Sequence, residues 1–347
     1  MSQITGPVPG AVFPRLDWVE EMLAPALREA VASLPGAERR VAGYHRGWCE
    51  ADGTPLLSAP SRGKTVRPAL TLLSAIAVGG EPRCALQGAV AVELVHDFTL
   101  LHDDVIDGDT LRRHRPASWT VFGTPSAVLT GDALLAAALR AVAETPTQVA
   151  AAAVRELVGA LLDLVQGQSL DVAFEDASEV TVPQYLAMAE GKTGSLMGCA
   201  CALGGVLAGA DGERVRGLRE FGRRLGVAFQ CADDLLGIWG RSTRSGKPVG
   251  ADLTARKKSL PVVAALAGTD SAAEHLRSLY GSQRPLDEQD VALARELVEK
   301  AGGRQAAEDE ARRQMSAALR ALSCAQPTAD AYQQLQEIAR AMIQRDS

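Results

Sequence analysis

From residue 16 onward apolar residues recur at spacings of three and four, the period of a helix, and period-two alternation of the strand type is hard to find. The pattern predicts helices over about 16–34, interrupted at Pro25, and over 66–78, 83–107, 126–143, 147–173, 182–208 and 213–239, with further helices to the end. Two Gly- and Pro-rich stretches break the period, "CEADGTPLLSAPSRGK" (49–64) and "GRSTRSGKPVGAD" (240–252), and both read as loops. Residues 1–14 are rich in the same two residues and read as a flexible tail. No repeat of solenoid length and no linker composition appears between residues 60 and 265. The expectation is an all-α protein with one helical domain over 15–347.

Composition sharpens this picture. With 47% hydrophobic and only 4% aromatic residues, the 347-residue chain can bury a large core made mostly of alanine and leucine. A net charge of -6 argues against a nucleic-acid-binding surface. The six cysteines are scattered, and the spacing of Cys199 and Cys201 matches no zinc motif, so they read as buried thiols of a reducing compartment. The chain opens without a basic segment followed by an apolar run, and no stretch reaches the roughly eighteen uninterrupted apolar residues of a membrane span. A cytoplasmic protein is expected.

Against this apolar background one segment is anomalous. In "AVELVHDFTLLHDDVID" (91–107), Glu93, His96, Leu100, Asp103 and Asp107 follow spacings of three and four, a single stripe on a helix. An ordinary surface stripe mixes lysine with glutamate, because like charges a turn apart cost roughly a few tenths of a kcal/mol. This stripe ends in Asp103, Asp104 and Asp107 with no lysine between them. Carboxylates stacked in that way suit a divalent cation, Mg²⁺ in particular, whose shell is completed by phosphate oxygens and water.

The pattern recurs in "FQCADDLLG" (229–237), where Asp233 and Asp234 follow Gln230 by about one turn. Two acidic pairs far apart in sequence suggest two helices facing one another across a cavity. Bases lie beside them: Lys64 and Arg67 in "RGKTVRP", Arg112, Arg113 and Arg115 in "TLRRHRPAS", Lys192 in "EGKTGS", and Lys247, Lys257 and Lys258 in "GKPVGADLTARKKSLP". Basic clusters next to Mg²⁺-type acids in an acidic chain point to phosphate ligands. The "GKT" strings do not make a nucleotide-binding P-loop, since the full motif and its preceding strand are both missing.

In type, order and approximate spacing, "DDVID" with "LRRHRP", then "GKT" (191–193), "FQCADD" and "GKPVGADLTARKKSLP", resemble the trans-isoprenyl diphosphate synthases, or polyprenyl synthetases, from about Gly63 to Pro261. The resemblance implies the all-helical isoprenoid synthase bundle with a deep central cavity, a homodimer, and about three Mg²⁺ ions per site. It implies that Asp103, Asp104, Asp107 and Asp233 hold metal, with Asp234 beside the substrate. It further implies that Arg112, Lys192 and Lys247 neutralise an allylic diphosphate, that Lys257 is the substrate-binding lysine after the second motif, and that Lys64, Arg67, His96 and Arg113 hold isopentenyl diphosphate. Thr193 and Gln230 fall near the reacting carbons, and Gln168 and Asp171 in "GQSLD" match an intermediate polar pair.

Diphosphate leaves only when its charge is neutralised, which explains the metals and bases. The allylic cation must then be kept from water, which explains the apolar walls. By the same resemblance the departing pyrophosphate takes the final proton, so no dedicated protein base is needed. Phe98, five residues before Asp103, occupies the position where the family limits elongation, with Thr99 beside it, and "DFTLLHDDVID" resembles the geranylgeranyl-forming type. Farnesyl diphosphate is the next product, and core packing is the plain alternative for Phe98.

One departure stands out: Gly237 occupies the place of a third aspartate in the second motif. It keeps two rivals open, a class I terpene cyclase of the same fold and a non-catalytic partner subunit. The bases Lys64, Arg67, His96 and Arg113 argue for a condensing enzyme. His45, Trp48 and His102 read as packing residues, and His114 as a loop residue.

Overall fold

Leucines and valines at helical spacing bury themselves wherever two helices meet. A computed structural model describes residues 16–56, 65–240, 250–282 and 284–344, so the tail at 1–14, Lys64 and Lys247 lie outside the described residues. Helix α1 (Asp17–Ala32) buries Val19, Leu23, Leu27 and Val31, each four residues after the last. It runs through Pro25, where an interruption was expected. Pro25 is on the exposed side, so water can satisfy the carbonyl that loses its partner while the buried stripe opposite holds the helix.

Helices α2 (Gly36–His45) and α3 (Val66–Ala77) lead through a 3₁₀ turn (Pro82–Ala85) into α4 (Leu86–Ile106), the first acidic helix. Residues 88–95 of α4 are buried, as are Asp97, Phe98, Leu101 and Asp104. This helix lies inside the bundle against α1, α3, α6 (Thr124–Ala143) and α9 (Ser195–Leu207). The segment Pro82–Ile106 and helix α6 are each long and apolar enough to cross a membrane. For α4 the burial within the bundle accounts for that composition.

After α4 comes a small antiparallel hairpin, β1 (Leu111–Arg112) with β2 (Arg115–Pro116), which the sequence pattern did not reveal because two-residue strands are too short to show a period. Its turn residues Arg113 and His114 both adopt the left-handed region, φ 51° and 63°, as a tight hairpin turn requires. Helix α5 (Ser118–Phe122) precedes α6, and the long α7 (Thr147–Asp176) follows it.

The helix expected over 182–208 is instead α8 (Val182–Ala189), a π-helical turn (Glu190–Gly194) and α9. The second acidic helix is α10 (Gly212–Trp239). Short helices α11 (Ala251–Thr254) and α12 (Leu260–Leu266) come next, then α13 (Ser271–Tyr280), α14 (Glu288–Lys300), α15 (Gly303–Cys324) and α16 (Ala329–Ile343). The all-α class is borne out. The cysteines correct one expectation: all six are free, but only Cys199, Cys201 and Cys231 are buried, while Cys84 and Cys324 are exposed.

Candidate active site

The aspartates at the end of α4 have three different surroundings. Asp103 is partly buried, and burial lifts its carboxyl to about 6; Lys192 pulls it down, while Asp107 and Asp171 push it up. Asp104 is 1% exposed and turned to the hairpin, where one oxygen accepts from Arg112 Nε at 2.8 Å and also from its Nη2. Its other oxygen is buried without a hydrogen-bond partner. Asp107 caps the helix and is exposed.

Lys192 reaches Asp171 on α7 at 2.5 Å. A close crossing makes this possible. Gly167 on α7 and Gly191 in the π-helical turn meet backbone to backbone, and a Cβ on Gly167 would collide with the backbone nitrogen of Lys192. The π turn re-aims one residue between two apolar helices, a device frequent at functional sites. Substituting Gly167 by alanine should displace Lys192, destabilise the protein by about 1–3 kcal/mol and lower turnover. Denaturant unfolding and steady-state kinetics on one preparation check this, and unchanged values in both would exclude the crossing as the cause of the lysine's position.

On the other wall, Asp234 is 2% exposed and fully engaged. The Tyr185 hydroxyl donates to it at 2.6 Å, the Leu260 amide at 2.7 Å and Gln230 Nε2 at 3.0 Å. Burial nevertheless lifts its carboxyl to about 6 against these donors and Lys257. Thr193 donates to Gln230 at 2.8 Å, so the π turn and α10 are tied together. Asp233, one residue earlier, is exposed. Burial lowers the affinity of Lys257 for its proton, but Asp234, Asp171, Asp252 and Asp233 outweigh it, and the ammonium is held charged. Asp171 thus acts electrostatically on both Asp103 and Lys257.

Gly237 finds its explanation here. A Cβ at this position would overlap the carboxylate of Asp252, which lies over the glycine one turn beyond Asp233. The place of the missing acid on α10 is taken by an acid from α11. Sequence reasoning missed Asp252, although "GAD" in the loop segment was its visible trace.

Burial and the charges of Arg67 and Arg113 push the His96 imidazole well below its usual range, so it is neutral. Next to this group the sequence missed an ionic knot: Arg46 of the segment after α2 donates to Asp97 and, at 3.2 Å, to Glu93. Glu93 therefore leaves the acidic stripe. Trp48 carries Arg28 on one contact at 4.7 Å and Arg46 on another at 5.2 Å. A groove is bordered by Arg46, Trp48, Glu93 and Arg113. Thr99 spends its hydroxyl on the His96 carbonyl at 2.8 Å. Gln168 is near the crossing, with a buried Nε2 that has no hydrogen-bond partner.

Among the described residues, no three His, Cys, Asp or Glu side chains converge on one point. The donors nonetheless fit a hard divalent cation such as Mg²⁺: they are carboxylate oxygens, of which Asp103 is desolvated and held beside other acids.

An all-α bundle with two aspartate pairs and with Arg112, Lys192 and Lys257 held beside acids of the site defines a prenyltransferase that works on diphosphates. The polyprenyl synthetase profile matches residues 55–298. The chain is 48% identical over 299 residues to the geranylgeranyl diphosphate synthase of Mycobacterium tuberculosis (strain ATCC 25618 / H37Rv), covering 86% of this chain and 85% of that one. It is 42% identical over 308 residues to the (2E,6E)-farnesyl diphosphate synthase of Mycobacterium bovis (strain ATCC BAA-935 / AF2122/97), covering 88% and 85%. The crystal structure of polyprenyl synthetase from Streptomyces coelicolor A3(2) superposes with a TM-score of 0.90 at 42% identity, over 94% of this chain and 98% of that one. The chain belongs to the polyprenyl synthetase family and is a trans-prenyltransferase.

Proposed function

We propose that the protein condenses isopentenyl diphosphate with an allylic diphosphate and releases geranylgeranyl diphosphate. The observation that carries this reading is the pair of acidic walls linked electrostatically through Asp171, with Lys192 and Lys257 beside them. Asp103, Asp107 and Asp233 would hold Mg²⁺, which supplies charge neutralisation for the leaving diphosphate. Asp104 has the narrower task of fixing Arg112, and Asp234 of fixing Gln230 and Lys257. Asp252 stands where the third aspartate of the second motif is missing.

Arg112, Lys192 and Lys257 face the allylic diphosphate, with Lys247 in the same role outside the described residues. Arg67, Arg113 and neutral His96 serve isopentenyl diphosphate, together with Lys64. A neutral imidazole donates to phosphate without repelling the arginines. Thr193 and Gln230 flank the reacting carbons. By the family picture, the proton lost from the condensed cation goes to the departing pyrophosphate.

Leu129 on α6 and Val158, Leu162 and Val165 on α7 are exposed apolar residues, which supports a homodimer closed over this face. A cytoplasmic location is consistent with the free thiols.

The product assignment rests on Phe98. Of two relatives bearing different names, one is a geranylgeranyl and one a farnesyl diphosphate synthase, so length must come from side chains. Phe98→Ala should shift the product to longer prenyl alcohols, read by mass spectrometry after dephosphorylation. An unchanged profile would remove Phe98 as the floor of the cavity.

A further inference from the structure

The ring of Phe98 can stop a growing chain only if it does not rotate aside, and one side chain is placed to prevent that. His102, a helical turn later on α4, stands edge-on to Phe98 with ring centroids 4.7 Å apart and an interplanar angle of 68°. Its Nε2 lies 3.0 Å from the Val128 carbonyl on α6. That oxygen can only accept, so Nε2 must carry a proton. The ring therefore spans from α4 to the backbone of α6, and Gly131 leaves the room for it: a Cβ there would collide with the imidazole. Phe98, His102 and Gly131 form a stack in which each member limits the next.

We propose that His102 is a positioning residue for product length, bracing Phe98 against α6, with Gly131 as the seat of the brace. This deepens the reading of Phe98 as the floor of the elongation cavity and rests on it. A T-shaped aromatic pair adds to packing beyond the burial of either ring, so removal of the brace leaves Phe98 in place but frees its ring. The predicted effect is mixed products, where loss of Phe98 itself gives a clean shift.

The test compares wild type with Phe98→Ala, His102→Ala, Gly131→Ala and His102→Phe, using isopentenyl and farnesyl diphosphates with Mg²⁺ and reading product length by mass spectrometry. Melting temperatures are recorded in parallel, because a merely structural histidine would move stability and leave length alone. His102→Ala and Gly131→Ala should each add products at least one isoprene unit longer, and His102→Phe, which keeps a ring against Phe98 but cannot donate to the Val128 carbonyl, should fall between His102→Ala and wild type. A wild-type profile in His102→Ala and Gly131→Ala beside lengthening in Phe98→Ala overturns the brace and spares Phe98. A wild-type profile in all variants overturns both assignments.

Discussion

Replacing Asp103 by asparagine is expected to lower turnover by about a thousandfold or more, a loss of the size seen when a charge-stabilising group is taken from a reacting site. The fold should survive, because the substitution preserves shape and removes a charge that the apo protein holds at a cost. Burial lifts the Asp103 carboxyl from 3.8 to about 6. A raised carboxyl binds its proton more tightly folded than unfolded. Its contribution to stability is therefore complete below about pH 4 and fades as pH rises through about 6. Above that window the ionised side chain needs a cation. Thermal melts across pH 4.5–7.5 with and without Mg²⁺ and inorganic pyrophosphate should show ligand stabilisation growing through pH 6 in wild type and flat in the asparagine variant. Retained turnover, or a variant that responds to the ligands as wild type does, would contradict the metal role.

Asp234→Ala is expected to be the most damaging change to the scaffold of the site. It leaves the Tyr185 hydroxyl, the Leu260 amide and the Gln230 amide group without their acceptor in an interior where the aspartate is 2% exposed. Removing one member of such a buried charged network costs about 3–5 kcal/mol. Activity should fall as well, since Gln230 positions Thr193 and Asp234 is the foremost charge holding Lys257 ionised. Denaturant unfolding reads the first effect. The second is read under conditions where the variant remains folded, and Asp234→Asn, which keeps a carbonyl for Tyr185, should fall between the two. A stability loss under 1 kcal/mol in the alanine variant would mean that water replaces the carboxylate and that the hub is dispensable.

Much of this was legible in the sequence. The spacing of Asp103 and Asp107 and the pair Asp233–Asp234 gave both acidic walls, because a helix turns spacing in sequence directly into a shared face. What escaped has a common physical cause: long-range pairing leaves no local period. Glu93 looked like a member of the acidic stripe, and only the fold brings Arg46 to it and to its neighbour Asp97. The two-residue hairpin that carries Arg112 and Arg113 is set by backbone angles at Arg113 and His114, which bulky residues adopt rarely. Gly237 read as the loss of an acid, whereas Asp252 occupies the space from another helix. The π turn at Glu190–Gly194 appeared as continuous helix because its apolar spacing matches one, and the close contact of Gly167 with Lys192 needs both partners in view. Asp104 and Asp234 belong to the two motifs by spacing, but that Arg112 pairs with the first and that Gln230 and Tyr185 bond the second is set by the fold.

The central claim is that this site joins two diphosphate substrates. Purified wild-type protein supplied with Mg²⁺, isopentenyl diphosphate and each of dimethylallyl, geranyl and farnesyl diphosphate in turn should yield geranylgeraniol after dephosphorylation, and no product when either substrate is withheld. A hydrocarbon formed from the allylic diphosphate alone, or no turnover with any primer, would contradict it.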